Sequence, residues 1–317
     1  MAKKIASSGD INSRMFYALR VSEESGVPFL FMSAPGMGKS TTVEMYAEIR
    51  GYKLQMLRGN STTHEEVMGY DTVQQDSATA VHLRPTWFQE LLDNSKAGHR
   101  TLLFLDEITT CPQHVQAALL HLVMERRVGM EDLPKDTLVV SAGNYAQSLG
   151  STFDLMAPLM NRFCLFNIVP DQSDIRMFLS KYEGAATGSI IPVLDRKRKD
   201  LAELEKDAIT VDKEVRDRIS EYIERGFLDV VDQLQNSGKK PVDFKVTDLQ
   251  GLYRDTENDA TLKGFITPRT IGYLRDATIA AYLCFGKAGV TGNNYALLVE
   301  GLCGVGLSRS SRIFVRG

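Results

Sequence analysis

Short apolar runs alternate with helical repeats through the first half of the chain. Five runs predict strands: Pro28 to Met32, Lys53 to Leu57, Thr101 to Asp106, Thr137 to Ala142 and Phe163 to Ile168. They are too short for core helices and are bounded by turn or charged residues. Between them lie segments with a 3.6-residue period. Lys39 to Arg50 is one, and Gly51 behind it suits a left-handed C-terminal cap. Gln113 to Arg126 is another: Pro112 opens it, and Val115, Ala118, Leu119, Leu122 and Val123 form one apolar face. Strand alternating with helix predicts an α/β fold on a parallel sheet. Tyr70 to Leu83 is too polar for a core strand and holds turn residues at Asp76-Ser77, which predicts a small surface hairpin.

After Ile168 the pattern changes. Pro170 and Asp171 introduce a helix over Asp174 to Tyr182, and Thr267 to Phe285 predicts another, with Ile271, Leu274, Ala277 and Ala281 on one side. No strong strand run follows, so the second part is expected to be mainly helical. Residues 184–265 are polar, with charge runs at Asp195 to Asp200 and Gly238 to Lys240. Such a stretch reads as a solvated helix face or long loop; a partner-binding or weak nucleic-acid surface is the alternative.

Composition mostly excludes. At 317 residues, 43% hydrophobic and 24% charged, the chain has room for two domains or one large one. A net charge of −3 gives no global basic field for nucleic acid or a membrane surface. No apolar run approaches a membrane span, and no apolar stretch follows the lysines of MAKKIASSGD, so neither membrane insertion nor a signal peptide is expected. Cys111, Cys164, Cys284 and Cys303 are widely spaced and read as reduced buried thiols, consistent with a cytoplasmic location. The five histidines show no ligand spacing.

Candidate chemistry begins at SAPGMGKSTT, residues 33–42. A strand, a Pro35-Gly36-Met37-Gly38 turn and Lys39-Ser40-Thr41 entering a helix form a phosphate cradle. The two glycines let backbone amides converge on the anion, aided by the positive helix end. Lys39 would reach the β- and γ-phosphates and Ser40 would offer its hydroxyl to Mg²⁺. The strict pattern G-x-x-x-x-G-K-[ST] fails at Ser33, which is expected to lie outside the cradle, where a small residue suffices. The second piece is Thr101 to Glu107, a buried strand with two carboxylates at its C-terminal end. Asp106 would hold a water on Mg²⁺, and Glu107 would polarise the water that attacks the γ-phosphate. Asn144 ends the next apolar strand and could orient that water, although Gly-Asn is also ordinary turn chemistry. Arg162, before an apolar strand, is either a surface salt-bridge residue or an arginine finger serving a neighbouring subunit. Arg269 opens the late helix, where it could reach the nucleotide from the second domain.

In this order the motifs resemble the AAA+ ATPases, and within them the MoxR-like group, related to the dynein-related and magnesium-chelatase-type members. The similarity covers most of residues 25–170 and resumes at 265–285. PGMGKST resembles the Walker A loop, LLFLDE Walker B, Asn144 sensor 1, Arg162 in NRF the arginine finger, and Arg269 in TPR sensor 2. The resemblance implies an ATP-binding domain over residues 1–169, with a helix-2 insert hairpin at about 68–84 and a pre-sensor hairpin at about 126–137. A helical lid over 170–317 would follow, carrying the polar insertion at about 184–265. It implies ATP and Mg²⁺ as cofactors and a homo-oligomeric ring, usually a hexamer, with Arg126 and Arg127 near the subunit interface. It also implies a remodelled protein partner, often one with a von Willebrand A domain or a metal centre. A DNA-acting motor or loader and a nucleotide-gated scaffold are the alternatives. The acidic balance argues against the first, and the intact pair Asp106-Glu107 against the second.

Overall fold

The computed structural model describes residues 11–73, 79–144, 155–156, 159, 162–168, 198–202, 268–290 and 293–303. The expected helix over Asp174 to Tyr182, nearly all of the polar insertion and the tip of the Tyr70–Leu83 hairpin lie outside them. So do both basic stretches proposed as a nucleic-acid patch, apart from residues 198–200.

The elements run α1 (Ile11–Ser25), β1 (Phe29–Ser33), α2 (Lys39–Arg50), β2 (Lys53–Arg58), α3 (His64–Met68), β3 (Tyr70–Val73), β4 (Ala80–Leu83), α4 (Thr86–Lys96) and β5 (Thr101–Asp106). A 3-10 turn (Ile108–Thr110) leads to α5 (Gln113–Glu125), β6 (Arg127–Val128), β7 (Glu131–Asp132), β8 (Leu138–Asn144) and β9 (Cys164–Asn167). Then come α6 (Pro268–Phe285), a 3-10 stretch (Gly286–Val290) and α7 (Asn293–Cys303). The five expected strands form a single parallel sheet in the order β2-β5-β8-β1-β9.

Two compact units divide the chain: residues 28–163, and residues 1–27 together with 164–317. The N-terminal residues 1–27, expected with the first domain, group with the second unit. The reason is packing. Nine residues of α1, Ser13 and Met15 to Ser22, are buried. Tyr17 stacks on Phe285 with ring centroids 5.0 Å apart, and its hydroxyl donates to the Gly289 carbonyl at 2.6 Å. Cys284 Sγ meets the Arg20 carbonyl at 3.9 Å. These apolar and polar ties make α1 part of the helical unit.

In the α/β unit, β5 and β8 are buried at every position. That follows from their place between other strands, where both faces are covered and an unbroken apolar run is required. α2 ends on Gly51 at φ 69°, as its sequence requires, with the Gly51 amide closing the last turn. β3 and β4 form the expected antiparallel hairpin, and β6 and β7 a shorter one. The two are joined by Arg84, whose Nη2 donates to Glu131 Oε2 at 2.8 Å.

Candidate functional site

Three parallel strands end side by side: β5 at Asp106, β8 at Asn144 and β1 at Ser33. In the register of β1 with β8, Ser33 lies opposite Asn144. Ligands of open α/β sheets bind at this carboxyl edge. The loop after β1 turns through Gly36 (φ 80°) and Gly38 (φ 71°), both left-handed and both demanding glycine. α2 starts at once, and its first intrahelical bond runs from the Thr42 amide to the Gly38 carbonyl. The amides of Lys39, Ser40 and Thr41 therefore precede that ladder at the positive end of the helix dipole.

Lys39 is 8% exposed, and its Nζ donates to Asn144 Oδ1 at 2.8 Å and to Ser33 Oγ at 2.7 Å. Burial lowers its pKa below the usual lysine value, while Asp106 and Glu107 pull it back up. Ser33, expected to lie outside the cradle, thus holds the lysine of the candidate site by its hydroxyl. The strict pattern gave no signal for it, because only the fold of β1 brings its hydroxyl to the lysine.

Ser40 Oγ donates to Asp106 Oδ2 at 2.7 Å, and the other carboxylate oxygen accepts the Glu107 amide at 2.9 Å. A hydroxyl and a carboxylate at one point are the hard oxygen donors that suit Mg²⁺, which keeps waters and takes few protein ligands. Among the described residues no cluster of three or more His, Cys, Asp or Glu could hold a metal. The residues fit an ion shared with phosphate rather than one caged by protein.

Glu107 leaves the strand in a left-handed conformation, φ 55° and ψ 38°, which is rare for a residue with a side chain. Its carbonyl accepts from the Thr110 amide and hydroxyl at 2.9 and 2.8 Å, and a Cβ at Gly59 would collide with it. The glycine makes room for the turn. Among the described residues the Glu107 carboxylate has no hydrogen-bond partner. The 3-10 turn then delivers Thr109, 4% exposed, whose Oγ1 accepts the Asn144 amide at 3.0 Å. Thr109 ties the Asp106-Glu107 segment to the tip of β8; as an ordinary Thr in a turn it carried no sequence signal.

The remaining candidates belong to other segments. Arg162 is half-buried in the turn before β9, and its Nε is buried without a hydrogen-bond partner among the described residues. Arg269 belongs to the first turn of α6 in the other unit, and its side chain lies outside the described residues. Arg126 donates to the Thr137 carbonyl at 2.7 Å and Arg127 pairs with Asp132 at 2.7 Å, so both brace the β6–β7 hairpin.

Residues 28–170 match the model of the AAA domain (dynein-related subfamily). The fold resembles the crystal structure of a proposed ATPase from Cytophaga hutchinsonii. That comparison has a TM-score of 0.51 and 14% identity and covers 95% of this chain and 83% of the other. No curated protein matches the sequence significantly.

Proposed function

We propose that this chain, a AAA+ protein whose residues 28–170 form a AAA domain of the dynein-related subfamily, hydrolyses ATP. On this reading it works as a ring of identical subunits of the MoxR-like kind and remodels or activates a protein partner. The observation that carries the hydrolytic reading is the convergence of Lys39, Asp106 and Asn144 at one sheet edge, with Glu107 one residue beyond.

Each residue then has a task. Residues 35–41 form the loop around the β- and γ-phosphates, the amides of residues 36–41 donate to them, and Lys39 adds its charge. Ser40 and Asp106 would hold Mg²⁺, which when bound neutralises charge on the phosphates. Glu107 accepts the proton of the attacking water, a role that suits a carboxylate with no partner among the described residues. Asn144 orients that water through its side-chain amide. Arg162 serves the γ-phosphate of a neighbouring subunit, and Arg269 senses the nucleotide from the helical unit.

The hairpins supply a contact surface for the partner. Tyr70, Val73, Val81 and Leu83 on β3–β4 and Met130 between β6 and β7 are exposed apolar side chains. Such surface suits a protein partner, of which a von Willebrand A-domain protein is one class, better than phosphate. The test is phosphate release from Mg²⁺-ATP against a Lys39→Ala control, with the mass of the assembly measured in ATP. Turnover no faster than the control removes the enzyme reading, and a monomer in ATP removes the ring. Proteins retained by Glu107→Gln in ATP identify the partner, whereas retention of DNA alone turns the reading to a DNA-acting motor.

A further inference from the structure

We infer that Ser33 is a positioning residue for Lys39, holding the ammonium clear of the acidic pair; the inference rests on the nucleotide reading above. Lys39 interacts electrostatically with both Asp106 and Glu107, yet it is hydrogen-bonded to two neutral oxygens instead, Ser33 Oγ and Asn144 Oδ1. A buried ammonium needs acceptors, and the strongest available are carboxylates. If Lys39 took Asp106, it would compete with Ser40 for the same carboxylate. Ser40 and Asp106 meet at 2.7 Å because the lysine is occupied elsewhere.

Ser33 is built for this. It is completely buried, and its own proton is committed to the Ala34 carbonyl at 2.7 Å, which leaves its lone pairs for Nζ. It lies opposite Asn144 in the β1–β8 register, so the two acceptors sit on adjacent strand ends. A lysine ammonium has three donors. Two are used, and the third can meet a phosphate oxygen while Ser33 stays engaged. A glycine at this position offers no acceptor, and the four-carbon stem of Lys39 would then have a single anchor.

The experiment is a double-mutant cycle on the full chain with Ser33→Ala and Lys39→Met, reading the affinity for a fluorescent ADP and the thermal unfolding without nucleotide. Ser33→Ala alone should weaken ADP binding by about tenfold, the size of a hydrogen bond to a charged group. With Lys39→Met already present it should change binding by less than about twofold, because its partner is gone. The unfolding shifts should be non-additive in the same sense. Wild-type affinity in Ser33→Ala, or an undiminished effect in the Lys39→Met background, overturns the inference, because a packing role does not need the ammonium. Ser33→Gly removes the same hydroxyl and replaces Ser33→Ala should that variant not fold. If the wild-type chain binds no nucleotide, the proposed function fails, and the unfolding cycle still decides the pairing: additive shifts reject it.

Discussion

Ser40 at the first turn of α2 donates its hydroxyl proton to Asp106 at the end of β5 across 2.7 Å. Two segments more than sixty residues apart thus present a hydroxyl and a carboxylate to one point. Asp106→Asn keeps the shape and removes the charge. ATP turnover is expected to fall by about 10²–10³-fold, the scale of losing one electrostatic element of a phosphoryl-transfer site. Titrating Mg²⁺ against nucleotide affinity checks the cause. Mg²⁺ should tighten binding to the wild type and leave the variant indifferent; equal tightening in both would exclude Asp106 as a ligand.

Glu107→Gln separates binding from hydrolysis. The Glu107 carboxylate has no hydrogen-bond partner among the described residues, so its loss should leave the melting temperature unchanged. ATP affinity should stay near wild type while turnover drops by about 10²–10⁴-fold, the usual share of a general base. Wild-type turnover in this variant would move the base elsewhere.

Arg162→Ala tests whether one subunit completes the site of another. Its Nε is buried without a hydrogen-bond partner among the described residues. The variant should bind ATP and fail to hydrolyse it. Mixed with Lys39→Ala protein, it should regain part of the wild-type rate, since a mixed interface can join an intact loop to an intact arginine. Co-assembly with no gain in phosphate release would exclude action between subunits.

The sheet was legible because its strands are short apolar runs with charged or turn residues at their ends. α1 was not. It buries Ser13, Arg20 and Ser22 along with its apolar residues, so no single face stands out. α4 did carry a signal: Trp87, Phe88 and Leu91 are spaced to share one helix face, and all three are buried. The loop and the two carboxylates were legible because backbone chemistry ties phosphate binding to local sequence. Ser33 and Thr109 were not, since each matters only through what tertiary pairing places beside it: Lys39 in one case, the Asn144 amide in the other.

Cys111 gives a pH prediction. Burial raises its thiol pKa to about 11 from the ordinary value near 9. Between those values the unfolded chain has released the proton and the folded chain has kept it. The folded state therefore binds more protons, and stability falls as pH rises through that window. Denaturant unfolding at pH 8, 9, 10 and 11 should show the decline, and Cys111→Ala should flatten it. An identical slope in both proteins would show that Cys111 does not titrate this way.

The hydrogen bond from Tyr17 to Gly289 spans 272 residues, and this sets a clock on biosynthesis. At roughly 5–20 residues per second, α1 leaves the ribosome some 15–55 s before its stacking and hydrogen-bonding partners exist. In that interval Met15, Phe16, Leu19 and Val21, all buried in the finished protein, have none of α6 or α7 to cover them. Residues 28–163 are contiguous, and β9, the strand that completes their sheet, follows them directly. Synthesis therefore completes every strand of the sheet before α6 and α7 exist, and α1 is the buried helix that waits longest for its partners.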